Sequence, residues 1–261
     1  MQDLTVTLIQ TELFWQDPDA NRNHFAGLMD RIDAATDLIV LPEMFTTGFT
    51  MDAANHAESM DGPSIEWMAK MAHSRNSIVC GSLIIGEEGH HFNRFIWMPP
   101  DGALKTYDKR HLFRMANEQE HYVAGNERKI FTLRDWRICP MVCYDLRFPV
   151  WSRGVNEFDL LIYVANWPAT RGSAWRALLP ARAVENLCYV AGVNRIGSDG
   201  NDRSFCGDSV VVDYLGQAAV DCGATEQVAT AVLDAAALAR YRKKFPAHLD
   251  ADAFEIDGSS G

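Results

Sequence analysis

Basic charge is scarce in this sequence, and the scarcity narrows its partners first. Its 261 residues carry 24 Lys and Arg against 35 Asp and Glu, a formal net charge of −11, and no basic run exceeds Arg242-Lys243-Lys244. Polyanions and anionic membranes are held by clustered cations, so the composition excludes a general nucleic-acid or membrane-surface binder. A small anionic ligand stays open, because one or two arginines in a local pocket bind a carboxylate inside an acidic protein. No apolar stretch nears the roughly 18 residues that span a bilayer. Met1-Gln2-Asp3-Leu4 lacks the basic and apolar regions of a secretory signal, so the expectation is a cytoplasmic chain. Cys-x-x-Cys and His-x-x-x-His spacings are missing, which argues against a metal site, and no Gly/Ser linker divides the chain.

What the chain does have is alternation, with short β-rich apolar runs separated by amphipathic stretches over nearly its whole length. Leu4 to Ile9, Asp37 to Leu41, Ser77 to Ile85, Arg137 to Val142, Asp159 to Ala165 and Tyr189 to Asn194 read as strands. Phe25, Leu28, Met29 and Ile32 recur at helical spacing after Asp17-Pro18-Asp19, a second helix starts near Pro63-Ser64, and a long one runs from about Ser173 to Leu187. Asp234 caps a last helix. His90, His91 and His121 fall in polar stretches. This pattern predicts an α/β fold with helices layered on sheet, one domain over residues 1–245 and a tail over 246–261. In that tail the final residues are expected to be mobile, and Phe254 and Ile256 to be exposed or docked.

Six cysteines occur, and in a reducing setting most are expected to be free thiols in the core. Cys143 stands apart. It ends the apolar run Ile138 to Val142 and leads into Tyr144-Asp145-Leu146-Arg147-Phe148-Pro149, where a sharp turn exposes a nucleophile beside backbone N–H groups. A thiol attacking an amide needs a base, a stabiliser for the oxyanion and an acid for the leaving nitrogen. Glu43, in Leu41-Pro42-Glu43-Met44-Phe45, is an acid placed where a buried strand gives way to a loop, and apolar surroundings would suit it to both proton transfers. Lys109, in Tyr107-Asp108-Lys109-Arg110-His111-Leu112, is the candidate cation. Taken singly, each has an ordinary reading: an inert core thiol, a solvated loop glutamate and a surface lysine.

Together they are more specific. Leu-Pro-Glu, Tyr-Asp-Lys-Arg-His-Leu-Phe and Cys-Tyr-Asp-Leu-Arg-Phe-Pro, in that order, resemble the nitrilase superfamily of carbon–nitrogen hydrolases. The likeness continues through Asn166-Trp167-Pro168, Arg182-Ala183-Val184-Glu185-Asn186 and Gly192-Val193-Asn194-Arg195, covering roughly residues 4 to 235. It implies a four-layer α-β-β-α sandwich, two mixed sheets flanked by helices, usually paired through a helical face into a homodimer. It also implies a Glu43, Lys109 and Cys143 triad with no metal or organic cofactor, an oxyanion held by Lys109 and the backbone of Tyr144, and a thioester intermediate. Members often add a second glutamate, and the spacing to Gly125 favours Glu120 over Glu118.

The same motifs look closest to the omega-amidase branch, which releases ammonia from the terminal amide of 2-oxo dicarboxylic acid monoamides such as 2-oxoglutaramate and 2-oxosuccinamate. Such a substrate needs a cation for its carboxylate. Arg147 and Arg171 are the candidates, with a buried ion pair to Asp145 or Glu185 as the other reading for Arg147. Phe45, Phe113, Tyr122, Phe148 and Trp167 are candidate pocket walls. Other activities of the superfamily stay open: N-carbamoyl amino acid amidohydrolase, aliphatic amidase or nitrilase. A silent scaffold protein is a further alternative. A redox pair of Cys139 and Cys143 fits poorly, since residues four apart on a strand lie about 13 Å apart.

Overall fold

Leu4, Val6 and Leu8 alternate with Thr5, Thr7 and Ile9 along β1 (Leu4–Gln10), and nearly all are buried, so the strand is covered on both faces. The same holds for β2 (Leu38–Val40) and β3 (Ile78–Glu87), whose Leu38, Val40, Ile78 and Cys80 face one core while Ile39, Val79 and Leu83 face another. β4 (His90–Met98) and β5 (Lys105–Asp108) extend this sheet as antiparallel hairpin partners. Helices α1 (Pro18–Met29), α2 (Ala53–His56) and α3 (Pro63–Arg75) fall between these strands, and Phe25, Leu28, Met68 and Ala72 of α1 and α3 close the outer face.

The second half repeats the plan. β6 (Phe131–Leu133), β7 (Trp136–Val142), β8 (Leu160–Val164), β9 (Tyr189–Val193), β12 (Val210–Val212) and β13 (Ala218–Asp221) form a second sheet in the order β13-β12-β9-β8-β7-β6. A small hairpin of β10 (Ile196–Ser198) and β11 (Ser204–Cys206) leaves it, and α4 (Pro149–Ser152) and α5 (Gly172–Asn186) intervene, Trp175, Leu179 and Ala183 of α5 packing on the sheet. The chain then returns to the first sheet as β14 (Gln227–Leu233), antiparallel to β1, before α6 (Ala235–Lys244), where Asp234 Oδ1 accepts from the Ala237 N–H at 2.7 Å.

In this computed structural model, which describes residues 1–154 and 156–256, both sheets are mixed and share one core. The layers run helix, sheet, sheet, helix, the sandwich that the motifs imply.

Some boundaries differ from the sequence reading. His90 and His91 begin β4, opposite Glu87 and Gly86, because Glu88 and Gly89 both take positive φ (50° and 78°) and turn the chain tightly enough to extend the ladder. The β10–β11 hairpin is also new. In the tail, Ile256 packs against the shared core and Phe254 is exposed. The expectation of mobility for Asp257 to Gly261 lies outside the described residues.

Candidate active site

Glu43, Lys109, Cys143 and Asn166 each stand within three residues of the end of a strand, β2, β5, β7 and β8 respectively. Pro42 ends the first of these, and Met44 takes a left-handed φ of 42° that turns Glu43 inward. The Met44 N–H donates to Ser82 Oγ (2.9 Å) and Phe45 N–H to the Ser82 carbonyl (3.2 Å), which pins the turn to β3. Cys143 has φ 45°, strained for a non-glycine residue by about 1–3 kcal/mol.

Asp145, fully buried, holds that elbow. Its Oδ2 accepts from the Val142 N–H (3.0 Å) and Tyr107 hydroxyl (2.7 Å), and its Oδ1 from the His111 N–H (2.9 Å), with His111 Nδ1 at 2.8 Å. The nucleophile's turn and the strand bearing Lys109 are thereby tied together.

The Lys109 ammonium is buried between two carboxylates. Nζ donates to Glu43 Oε1 at 2.9 Å and to both oxygens of Glu118 at 3.0 Å, and it lies 5.1 Å from the Phe49 ring centre. Burial disfavours its charge, but Glu118 and Glu43 outweigh burial and raise its pKa. Glu118 is pushed up by burial and by the charge of Glu43, against the pull of Lys109. The Cys143 thiol is driven well above its ordinary range by burial and then by the charge of Glu43, against the pull of Lys109. At neutral pH this thiol is therefore protonated, and its use as a nucleophile requires a base in contact.

The second glutamate is the one the sequence reading did not favour. Glu118 is fully buried and accepts from Lys109 and from the Phe113 N–H (2.5 Å), whereas Glu120 is exposed. The two lie in one 3-10 turn, Glu118–Glu120, and residues two apart on such a turn point to different sides. Gly125 still matters, for a different reason: a Cβ there would lie 2.2 Å from the Asp108 carbonyl oxygen, so only glycine lets this loop close onto the end of β5.

Glu43, Lys109, Cys143 and Asn166 open into a cavity of about 110 Å³ lined also by Phe49, Phe113, Tyr144, Trp167, Arg147 and Arg171. Arg147 lies over the Trp167 ring (5.0 Å) and Arg171 over Phe113 (5.3 Å). The buried ion pair considered for Arg147 does not form. The residue is exposed, Glu185 pairs with Arg182, and Asp145 is taken up by Tyr107 and His111. Among the described residues neither Arg147 nor Arg171 has a carboxylate partner.

Three proposed wall residues sit elsewhere. Tyr122 packs on Met44, Ala53 and Ile84 and donates its hydroxyl to the Thr50 carbonyl; Phe45 packs on Phe25 and Trp67; Phe148 stacks on His111. Sequence reasoning missed Asn93, Asp199 and Arg203. Asn93 is a buried amide of β4 beside Arg94, while Asp199 and Arg203 belong to the unanticipated hairpin.

All six cysteines are free, and burial raises Cys139 to about 12, so it is a core thiol. Among the described residues no group of three His, Cys, Asp or Glu side chains is arranged for a metal ion.

A thiol on a strained turn, a carboxylate lining the same cavity and a buried ammonium make a constellation suited to acyl transfer. The comparisons with known proteins agree in extent as well as kind. The family model for carbon-nitrogen hydrolases matches residues 5–243. The omega-amidase YafV of Escherichia coli (strain K12) is 49% identical over 257 residues, 98% of this chain and 100% of the relative. The 2-oxoglutaramate amidase of Bacillus subtilis (strain 168) is 31% identical over 247 residues, 93% and 95% of the two. A crystal structure of a CN-hydrolase superfamily protein from Xanthomonas campestris, with an arsenic adduct in its active site, superposes with a TM-score of 0.96 at 48% identity, covering 98% of this chain and 100% of that one. With the match running from the first strand into the last helix, the chain belongs to the carbon-nitrogen hydrolase family.

Proposed function

We propose that the protein is an omega-amidase that hydrolyses the terminal amide of a small 2-oxo dicarboxylic acid monoamide such as 2-oxoglutaramate or 2-oxosuccinamate. The observation that carries this is the Glu43, Lys109 and Glu118 cluster set against Cys143 beside two arginines that have no carboxylate partner among the described residues. The names of the curated relatives support the same substrate class.

Glu43 takes the thiol proton as the Cys143 sulfur bonds to the amide carbon, and the carbonyl electrons move onto oxygen. Lysine has three N–H donors. One goes to Glu43 and one is shared by the Glu118 oxygens, so the third is free for the oxyanion, beside the Tyr144 backbone N–H. Glu43 returns the proton to the leaving nitrogen, the C–N bond breaks, and ammonia departs from a thioester. Water, deprotonated by Glu43, then attacks the thioester, and the thiol leaves with the proton Glu43 had taken. Arg147 and Arg171 hold the distal carboxylate, and Phe113 and Trp167 wall the chain between.

An ammonia-release assay comparing 2-oxoglutaramate, glutamine, N-carbamoyl amino acids and simple nitriles tests the substrate, with 2-oxoglutaramate expected to lead; preference for a nitrile refutes the reading. Cys143→Ala should abolish turnover, and hydroxylamine should trap the acyl group as a hydroxamate in the parent. We further propose a homodimer, supported by exposed Val184 on α5 and Leu215 in the turn before β13, which sedimentation checks.

A further inference from the structure

Two carboxylates around one ammonium leave the buried cluster with an excess negative charge, which neutral donors must absorb. Glu43 and Glu118 receive three such donors. The backbone N–H of Asn166 donates to Glu43 Oε2 (2.8 Å) and that of Phe113 to Glu118 Oε2. The third is a side chain. Asn93, 1% exposed in β4, donates from Nδ2 to Glu43 Oε1 at 2.8 Å and reaches Glu118 Oε1 at 3.3 Å. Its direction is fixed from behind, because Ser82 Oγ donates to Asn93 Oδ1 at 2.8 Å while accepting the Met44 N–H. The amide therefore cannot turn its oxygen toward the carboxylates without losing Ser82. Among the described residues Asn93 is the one neutral side chain that bridges both glutamates.

The consequence lies in the lone pairs of Glu43. Oε1 accepts from Lys109 and from Asn93, which uses both of its acceptor positions. Oε2 accepts the Asn166 N–H alone, leaving one lone pair. We propose that Asn93, oriented by Ser82, is a positioning residue of the amide hydrolysis: by saturating Glu43 Oε1 it leaves Oε2 as the single atom that exchanges a proton with the Cys143 thiol and the leaving nitrogen. This rests on the reading of Glu43 as the base. In the first step the S–H bond breaks, its proton goes to Oε2, and the sulfur lone pair forms the S–C bond. In the second, the O–H bond on Oε2 breaks toward nitrogen as C–N cleaves. Throughout, Asn93 keeps its two protons.

The test compares Asn93→Ala, Asn93→Asp and Ser82→Ala, with rates normalised to the folded fraction from circular dichroism so that misfolded protein does not count. Asn93→Ala removes the donor outright, and Asn93→Asp keeps the volume but replaces the amide by a third acid group. For both Asn93 variants kcat with 2-oxoglutaramate should fall about 10- to 100-fold, the scale of a hydrogen bond to a charged group, with KM changed less than about threefold. The acid limb of kcat/KM should move up by roughly half a unit or more, since losing a donor to an ionised carboxylate favours protonation. Ser82→Ala should shift both readouts in the same direction by less. A kcat and pH profile within twofold of the parent in Asn93→Ala overturns the proposal, as does a loss confined to KM or to the folded fraction. Glu43→Gln in parallel separates the two levels. If it is inactive while Asn93→Ala is parent-like, the Asn93 assignment alone fails; if it is active, the reading of Glu43 beneath it fails.

Discussion

Replacing Glu118 by Gln should disable the enzyme without unfolding it, and replacing Glu120 should do neither. At 3.0 Å from Lys109 Nζ, and with an effective dielectric near 20, the Glu118 charge is worth about 5–6 kcal/mol to the ammonium, as a ceiling. Glutamine keeps the volume and one carbonyl acceptor, and Lys109 keeps Glu43, so the net loss at the lysine is nearer 2–3 kcal/mol. Removing one of two like charges also relieves repulsion between Glu43 and Glu118, so the melting temperature should move by only a few degrees. The cost falls on the oxyanion contact, because an ammonium held from one side drifts toward Glu43. We expect kcat for ammonia release from 2-oxoglutaramate to fall about 30- to 150-fold in Glu118→Gln and to stay within twofold in Glu120→Gln. Glu118 also pushes the Cys143 thiol up, so its removal should move the pH profile to lower pH, opposite to the Asn93 variants. Equal losses in the two variants, or an active Glu118→Gln, would refute the charge argument.

Three further perturbations probe other parts of the molecule. Arg147→Ala and Arg171→Ala should each raise KM for 2-oxoglutaramate about 10- to 100-fold while leaving an uncharged aliphatic amide unaffected, because only a carboxylate loses a charge-assisted hydrogen bond; equal effects on both substrates would count against the clamp. Burial raises the Asp159 carboxyl, but hydrogen bonds from Arg137 and the charge of Arg242 outweigh burial and hold it below the usual range. Its contribution is therefore complete above the unfolded value of about 4 and lost as pH falls through the folded one, so acid unfolding followed by circular dichroism should flatten in Asp159→Asn. Gly125→Ala forces a Cβ onto the Asp108 carbonyl and must shift the loop carrying Glu118, so both the melting temperature and kcat should drop, checked by calorimetry and the same ammonia assay.

How far the site could be read in advance follows from where each residue gets its position. Glu43, Lys109 and Cys143 each follow the end of their own strand by one to three residues, so order and local pattern suffice to place them. The layered fold is legible for the same reason: strands apolar on both faces must be sandwiched. Glu118 is different. Whether it or Glu120 turns inward depends on the left-handed Asn117 (φ 55°) and on the Phe113 N–H that captures the carboxylate, and neither is encoded in a run of Glu, Gln and Glu. Asn93 is further still from local reading. It meets Glu43 across 50 residues because β4 pairs with β3 in a register that sets Asn93 opposite Ile84, while the end of β2 is pinned to Ser82. Charged residues at strand ends announce chemistry because burying them is costly, whereas a neutral amide inside a strand reads as an interruption of the core. In a cluster with excess negative charge it is the neutral donors that let two carboxylates share one ammonium, so the least conspicuous polar residue in the sequence carries part of the electrostatic balance on which the conspicuous ones depend.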